Sequence, residues 1–186
     1  TPEELVDEWN EARDHGSLVH EELDLYIKEE AEPFEDKSIA GRDWFDENIS
    51  KNGNKVFSEI LVYSEDYKIG GMIDLLVFNS KTKKCTIFDW KTSKKIDRSN
   101  KKKAITAECY GLTNCRFDQY SLQLSFYSYL LEKSHGIKVN GQYIVHLMED
   151  DVDKIKADNH YGIVDKIIEK QLLYKEESDD EENDYE

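Results

Sequence analysis

"YKIGGMIDLLVFNSKTKKCTIFDWK", residues 67–91, decides how the chain folds. Two runs rich in β-branched and aromatic residues, 67–78 and 85–91, flank the polar turn "NSKTKK" and read as a β-hairpin. Gly70 and Gly71 in the first run predict a bend or bulge. Side chains two apart on a strand share a face, so Asp89 and Lys91 point one way while Phe88 and Trp90 point the other. Asp74 lies inside "MIDLLVF" on the neighbouring strand. An unpaired carboxylate in such apolar company is unfavourable. Three arrangements would relieve it: a salt bridge from Asp74 or Asp89 to Lys91, exposure at a strand end, or a divalent cation held by both aspartates.

Outward from the hairpin, "VFSEILVY" (56–63) is another strand, joined to an upstream helical run at 37–49 through the turn "KNGNK". Residues 2–14 and 17–31 read as two helices broken near Gly16, the second ended by Pro33. Downstream come a long loop over 92–116, a helix over 118–134, a strand over 141–148 and an amphipathic helix over 161–175. The expected fold class is α/β: a single domain over 1–175 with a central mixed sheet flanked by helices. The tail 176–186 is expected to be disordered.

A chain of 186 residues suffices for one such domain with a substantial core. No run has the length of a membrane span, no signal-peptide pattern opens the chain, and a cytoplasmic location is expected. Cys85, Cys109 and Cys115 are odd in number and lack CxxC spacing, which argues against a disulfide framework or a four-cysteine zinc or iron–sulfur site. The net charge of -16 is unevenly spread. Residues 81–103 hold ten Lys or Arg and two acids, whereas the last eleven residues hold eight acids and no base. A local basic patch can bind a polyanion within an acidic protein because charges are screened over about 8 Å in physiological salt. The same lysines would also suit a solvated loop. The acidic tail suits solubility or a protein partner.

The motifs then fall in a definite order. Gly71 to Asp74 form G-x-x-D, and Asp89, Lys91 and Thr92 form D-x-K-T. Gln119, Gln123 and Tyr127 line one side of the 118–134 helix, beside an apolar stripe that includes Leu122, Phe126 and Leu130. "GSLVH", Gly16 to His20, precedes them all. This series resembles the PD-(D/E)XK nuclease superfamily, in the branch of RecB-type domains, mitochondrial genome maintenance exonucleases and phage relatives. G-S-L-V-H stands for its G-T-x-x-H motif, Asp74 for its metal aspartate, Asp89 and Lys91 for its (D/E)-x-K pair, and Gln123 to Tyr127 for its Q-x-x-x-Y motif.

The resemblance implies a restriction-endonuclease-like αβββαβ core. It implies Asp74 and Asp89 as ligands of Mg²⁺ or Mn²⁺, with the Trp90 carbonyl and His20 completing the set and imidazole favouring Mn²⁺. Lys91 would act on the attacking water and the phosphate charge, and Gln123 and Tyr127 would position substrate or lysine. Glu59 is a further acid in an apolar strand, where relatives often carry one. No iron–sulfur cluster is implied. Lys94, Lys95, Arg98, Lys101, Lys102 and Lys103 follow the pair directly and are expected to line the DNA backbone's path. The activity implied is a metal-dependent DNase, an exonuclease on DNA ends with single strands favoured. An endonuclease and an inactive nuclease-like binding module are the alternatives.

Overall fold

The hairpin at 67–91 forms, and neighbouring segments extend it into a sheet. A computed structural model describes residues 1–49, 51–102, 106–149 and 151–183, with 173–183 described by backbone alone. In chain order the elements are α1 (Pro2–Ile27), α2 (Asp36–Asn48), β1 (Asn54–Ser64), β2 (Ile69–Asn79), β3 (Lys84–Lys91), α3 (Arg116–Lys133), β4 (Lys138–Leu147), β5 (Val152–Lys156) and α4 (Tyr161–Asn183). The strands lie in the order β1-β2-β3-β4-β5. The first three form an antiparallel meander, β4 runs parallel to β3, and β5 returns antiparallel to β4. A parallel neighbour requires a crossover, and α3 supplies it. The fold is thus α/β with a mixed sheet, as expected, plus a fifth strand.

Apolar residues divide between the sheet's two faces. Phe88 and Trp90 of β3 pack with Val19 and Leu23 of α1 and with Trp44 and Phe45 of α2. Cys85 and Ile87, one residue out of phase, pack with Leu124 and Leu130 of α3 on the other face. Tyr129 of α3 then joins Val164 and Ile168 of α4. All three cysteines are free. Among the described residues no helix is long and apolar enough to cross a membrane.

Several expectations are corrected. α1 passes through Gly16 without a break, because an interior glycine weakens a helix by only about 1 kcal/mol. A Cβ there would come within 3.2 Å of Thr92 Oγ1, so the glycine also admits the chain leaving β3. The helix stops at Ile27, ahead of Pro33, and Glu29 adopts a left-handed backbone with φ 64°. β5 escaped prediction because it is a five-residue edge strand whose exposed side chains are mostly charged. α4 runs on to Asn183, beyond the 161–175 run, through residues rich in glutamate, a good helix former. Gly70 and Gly71 make no bulge: they stay in register opposite Tyr63 and Val62.

Candidate active site where β2 and β3 part

The β2–β3 ladder ends at Leu75 and Phe88. One step further would set Asp74 opposite Asp89. Instead the Trp90 amide donates to Asp74 Oδ2 at 2.8 Å, so a carboxylate stands where a ladder carbonyl would be. Glu59 faces Asp74 from β1, between the pairs Ser58–Leu75 and Ile60–Ile73. Its φ is +46°, a left-handed conformation that disfavours side chains by roughly 1–2 kcal/mol. The kink reverses the strand's faces. Val56 packs toward α1 and α2, whereas Ile60 and Val62 pack toward α3. β2 reverses in step, with Leu75 on the first face and Ile73 on the second. Local strain of this kind gathers at functional sites.

α1 delivers His20 to the same place, because Val19 beside it and Leu23 one turn on are fully buried anchors. His20 Nδ1 lies 3.5 Å from Asp74 Oδ2 and 3.7 Å from Glu59 Oε1. Its Nε2 lies 3.1 Å from the Trp90 carbonyl oxygen. A neutral imidazole donating there presents Nδ1 as an acceptor toward the two carboxylates. The carbonyl keeps a second lone pair. One ligand atom each from His20, Glu59 and Asp74 falls within 4.8 Å of the others, a grouping that fits a metal ion.

The electrostatics point the same way. Burial, and then the Asp89 charge, push the Asp74 carboxyl up to about 7. Burial disfavours the His20 imidazolium, but Glu59 and Asp74 outweigh it and raise its pKa. Asp89 is 1 % exposed. Its Oδ2 meets Lys91 Nζ at 2.6 Å, and its Oδ1 has no hydrogen-bond partner. Lys91 also lies 4.7 Å from the centre of the Tyr120 ring. Burial works against the Lys91 ammonium, yet Asp89 and then Asp74 more than compensate and keep it charged. So the salt bridge forms, and Asp89 stands beside the His20, Glu59 and Asp74 grouping rather than within it. The ion pair leaves one buried carboxylate oxygen over, and a divalent cation would satisfy it.

Gln123 and Tyr127 face this site from α3, where Gln123 Nε2 donates to Tyr127 Oη at 2.8 Å. Burial raises the Tyr127 pKa, as do the charges of Asp89 and Asp74. A Cβ on Gly71 would stand 2.5 Å from Tyr127 Cε1. The G-x-x-D glycine therefore seats the Q-x-x-x-Y tyrosine. Gly71→Ala is expected to destabilise the protein by about 1–3 kcal/mol through overpacking, and thermal melting would measure it. Combination with Tyr127→Ala should recover part of the loss. An unchanged Tm in the single mutant would contradict the close contact.

Beside the site opens a cleft of about 1030 Å³. Of the basic residues expected to follow the backbone's path, only Lys94 lines it among the described residues. Lys95, Arg98, Lys101 and Lys102 are exposed elsewhere on the 92–116 segment, Arg98 resting over the Phe117 ring at 4.5 Å. Lys103 falls outside the described residues. Cations that sequence reasoning missed line the cleft instead: Arg13 from α1, Lys37 from α2 and Arg116 from α3. Lys37 Nζ also donates to the Thr92 carbonyl at 3.1 Å, and His146 Nε2 lies 2.6 Å from the Ser93 carbonyl oxygen. These two side chains hold the backbone just beyond Lys91. Nothing in the local sequence pattern marks them, because three separate elements bring them together. A family model described as the PD-(D/E)XK nuclease superfamily matches residues 2–185. A search of curated proteins found no match.

Proposed function

The chain belongs to the PD-(D/E)XK nuclease superfamily, and on that ground we propose that it is a metal-dependent deoxyribonuclease acting as an exonuclease on DNA ends, with single strands favoured. The observation that carries the chemistry is the convergence of His20, Glu59 and Asp74 beside the Asp89–Lys91 pair. His20, Glu59, Asp74 and Asp89 would hold Mg²⁺ or Mn²⁺, with the Trp90 carbonyl free to contribute its second lone pair. When bound, the cation supplies an activated water and polarises a phosphoryl oxygen.

The chain's own groups do the rest. Asp89 keeps Lys91 charged and fixed, so that its ammonium is aimed where negative charge builds up on the phosphate. Tyr120 limits the lysine's alternatives from the other side. His20 Nε2, anchored on the Trp90 carbonyl, fixes which nitrogen faces the cation. Gln123 and Tyr127 position the strand or the lysine. The Lys94 ammonium at the cleft would meet the backbone nearest the site.

The exonuclease preference and the RecB-type branch rest on the order of G-S-L-V-H, G-x-x-D, D-x-K and Q-x-x-x-Y. Intact Asp74, Asp89 and Lys91 favour an enzyme over an inactive binding module. Its place would be an intracellular compartment with accessible DNA. The test is incubation in Mn²⁺ with end-labelled linear DNA, single- and double-stranded, beside closed circles of each and an RNA control. Linear DNA is expected to be degraded from its ends while circles survive. Rapid linearisation of a circle would replace the exonuclease by an endonuclease, and cleavage of RNA alone would overturn the DNA assignment.

A further inference from the structure

Between β3 and α3 the chain folds back on itself. Asn114 N donates to the Lys102 carbonyl at 2.8 Å, Asn100 Nδ2 to the Asn114 carbonyl at 2.8 Å, and Phe117 N to the Asp97 carbonyl at 3.1 Å. The two limbs of the segment are thus tied together, and beyond the tie stands Tyr110. It is 86 % exposed, the most exposed of the large hydrophobic side chains among the described residues. A tyrosine ring left in water makes no contribution to the core.

The charges carried by its segment point to an occupant. Lys94, Lys95, Lys101 and Lys102 are exposed on the same segment and form no ion pair among the described residues. Of the segment's two acids, Glu108 is paired with a base and Asp97 engages a backbone amide. Asp97 Oδ1 accepts from the Arg116 amide at 3.4 Å, and Glu108 pairs with Lys170 of α4 at 2.7 Å. An exposed aromatic ring on a segment that also carries exposed cations without ion-pair partners matches the way sequence-independent sites hold single strands, with bases stacked on rings and phosphates on lysines. On the basis of the nuclease reading above, we propose that Tyr110 is a nucleobase-stacking residue for single-stranded DNA flanking the scissile bond, with Lys101 and Lys102 beside it on the phosphates.

The test compares wild type, Tyr110→Ala and Tyr110→Trp by fluorescence anisotropy, with Ca²⁺ as the cation. The probes are a labelled single-stranded oligomer and the same backbone carrying abasic sites. Stacking is worth roughly 1–3 kcal/mol per base, so Tyr110→Ala should weaken binding of the normal oligomer by about 5- to 150-fold. Tyr110→Trp should bind as tightly as wild type or more tightly. On the abasic strand the three proteins should be equal. Unchanged binding by Tyr110→Ala, an equal loss on the abasic strand, or weakening by Tyr110→Trp would each overturn the stacking role. Wild-type cleavage in Mn²⁺ is measured alongside. A wild type that cleaves DNA while Tyr110→Ala binds normally removes only this inference. A wild type that neither binds nor cleaves removes the nuclease reading as well.

Discussion

Asp74→Asn is expected to abolish cleavage and at the same time make the metal-free protein more stable at pH 8. The two effects have one origin. Asp74 is buried and faces the charge of Asp89, which together push its carboxyl up to about 7 from an ordinary 3.8. A group whose pKa is raised by folding stabilises the fold fully below its unfolded value, and the stabilisation is lost as pH rises through the folded value. The metal-free protein should therefore lose stability between about pH 4 and pH 7. Asparagine removes the charge while keeping an oxygen to accept the Trp90 amide. A gain of about 1 kcal/mol would raise Tm by roughly 2–4 °C in a chain of this size. Lys91→Ala should also stay folded and lose on the order of 100-fold or more in rate. Near-wild-type cleavage by either variant would refute its role. A lower Tm for Asp74→Asn would show that the carboxylate is not strained in the metal-free fold.

The second large effect is that of the cation itself. Chelation should eliminate activity, and Mn²⁺ should restore it better than Mg²⁺ because His20 would contribute a nitrogen. A ligand that binds only the folded state stabilises it by about 2.7 kcal/mol at a hundred times its dissociation constant. Mn²⁺ must displace the proton that Asp74 retains up to about 7, and must find His20 neutral although its neighbours raise its pKa. The Mn²⁺-induced rise in Tm is therefore expected to be larger at pH 8 than at pH 5.5. His20→Ala and Glu59→Gln should each reduce it. Full activity in excess EDTA, or a Tm rise independent of pH, would exclude this ligand set.

Much of the architecture was legible because strands and helices announce themselves by period and residue type. β-branched runs around "NSKTKK" identified the meander, and alternation placed Asp89 and Lys91 on one face, where they pair. What stayed hidden depends on residues remote in sequence. Gly16 read as a helix break, whereas its role is to admit Thr92. Gly71 read as a bulge, whereas it makes room for a tyrosine from α3. The left-handed turn at Glu59 has no local signal, since glutamate does not favour it, yet it brings that carboxylate near His20. The cleft's cations come from α1, α2 and α3, so a scan for lysine runs found the basic segment but missed Arg13, Lys37 and Arg116.

The most direct measurement is anomalous diffraction from a crystal grown with Mn²⁺ at a concentration that supports cleavage. One peak is expected at direct ligand distance from His20 Nδ1, Glu59, Asp74 and Asp89, with Lys91 Nζ still against Asp89. Occupied sites only elsewhere on the protein, with these four side chains unmoved and no density between them, would contradict it.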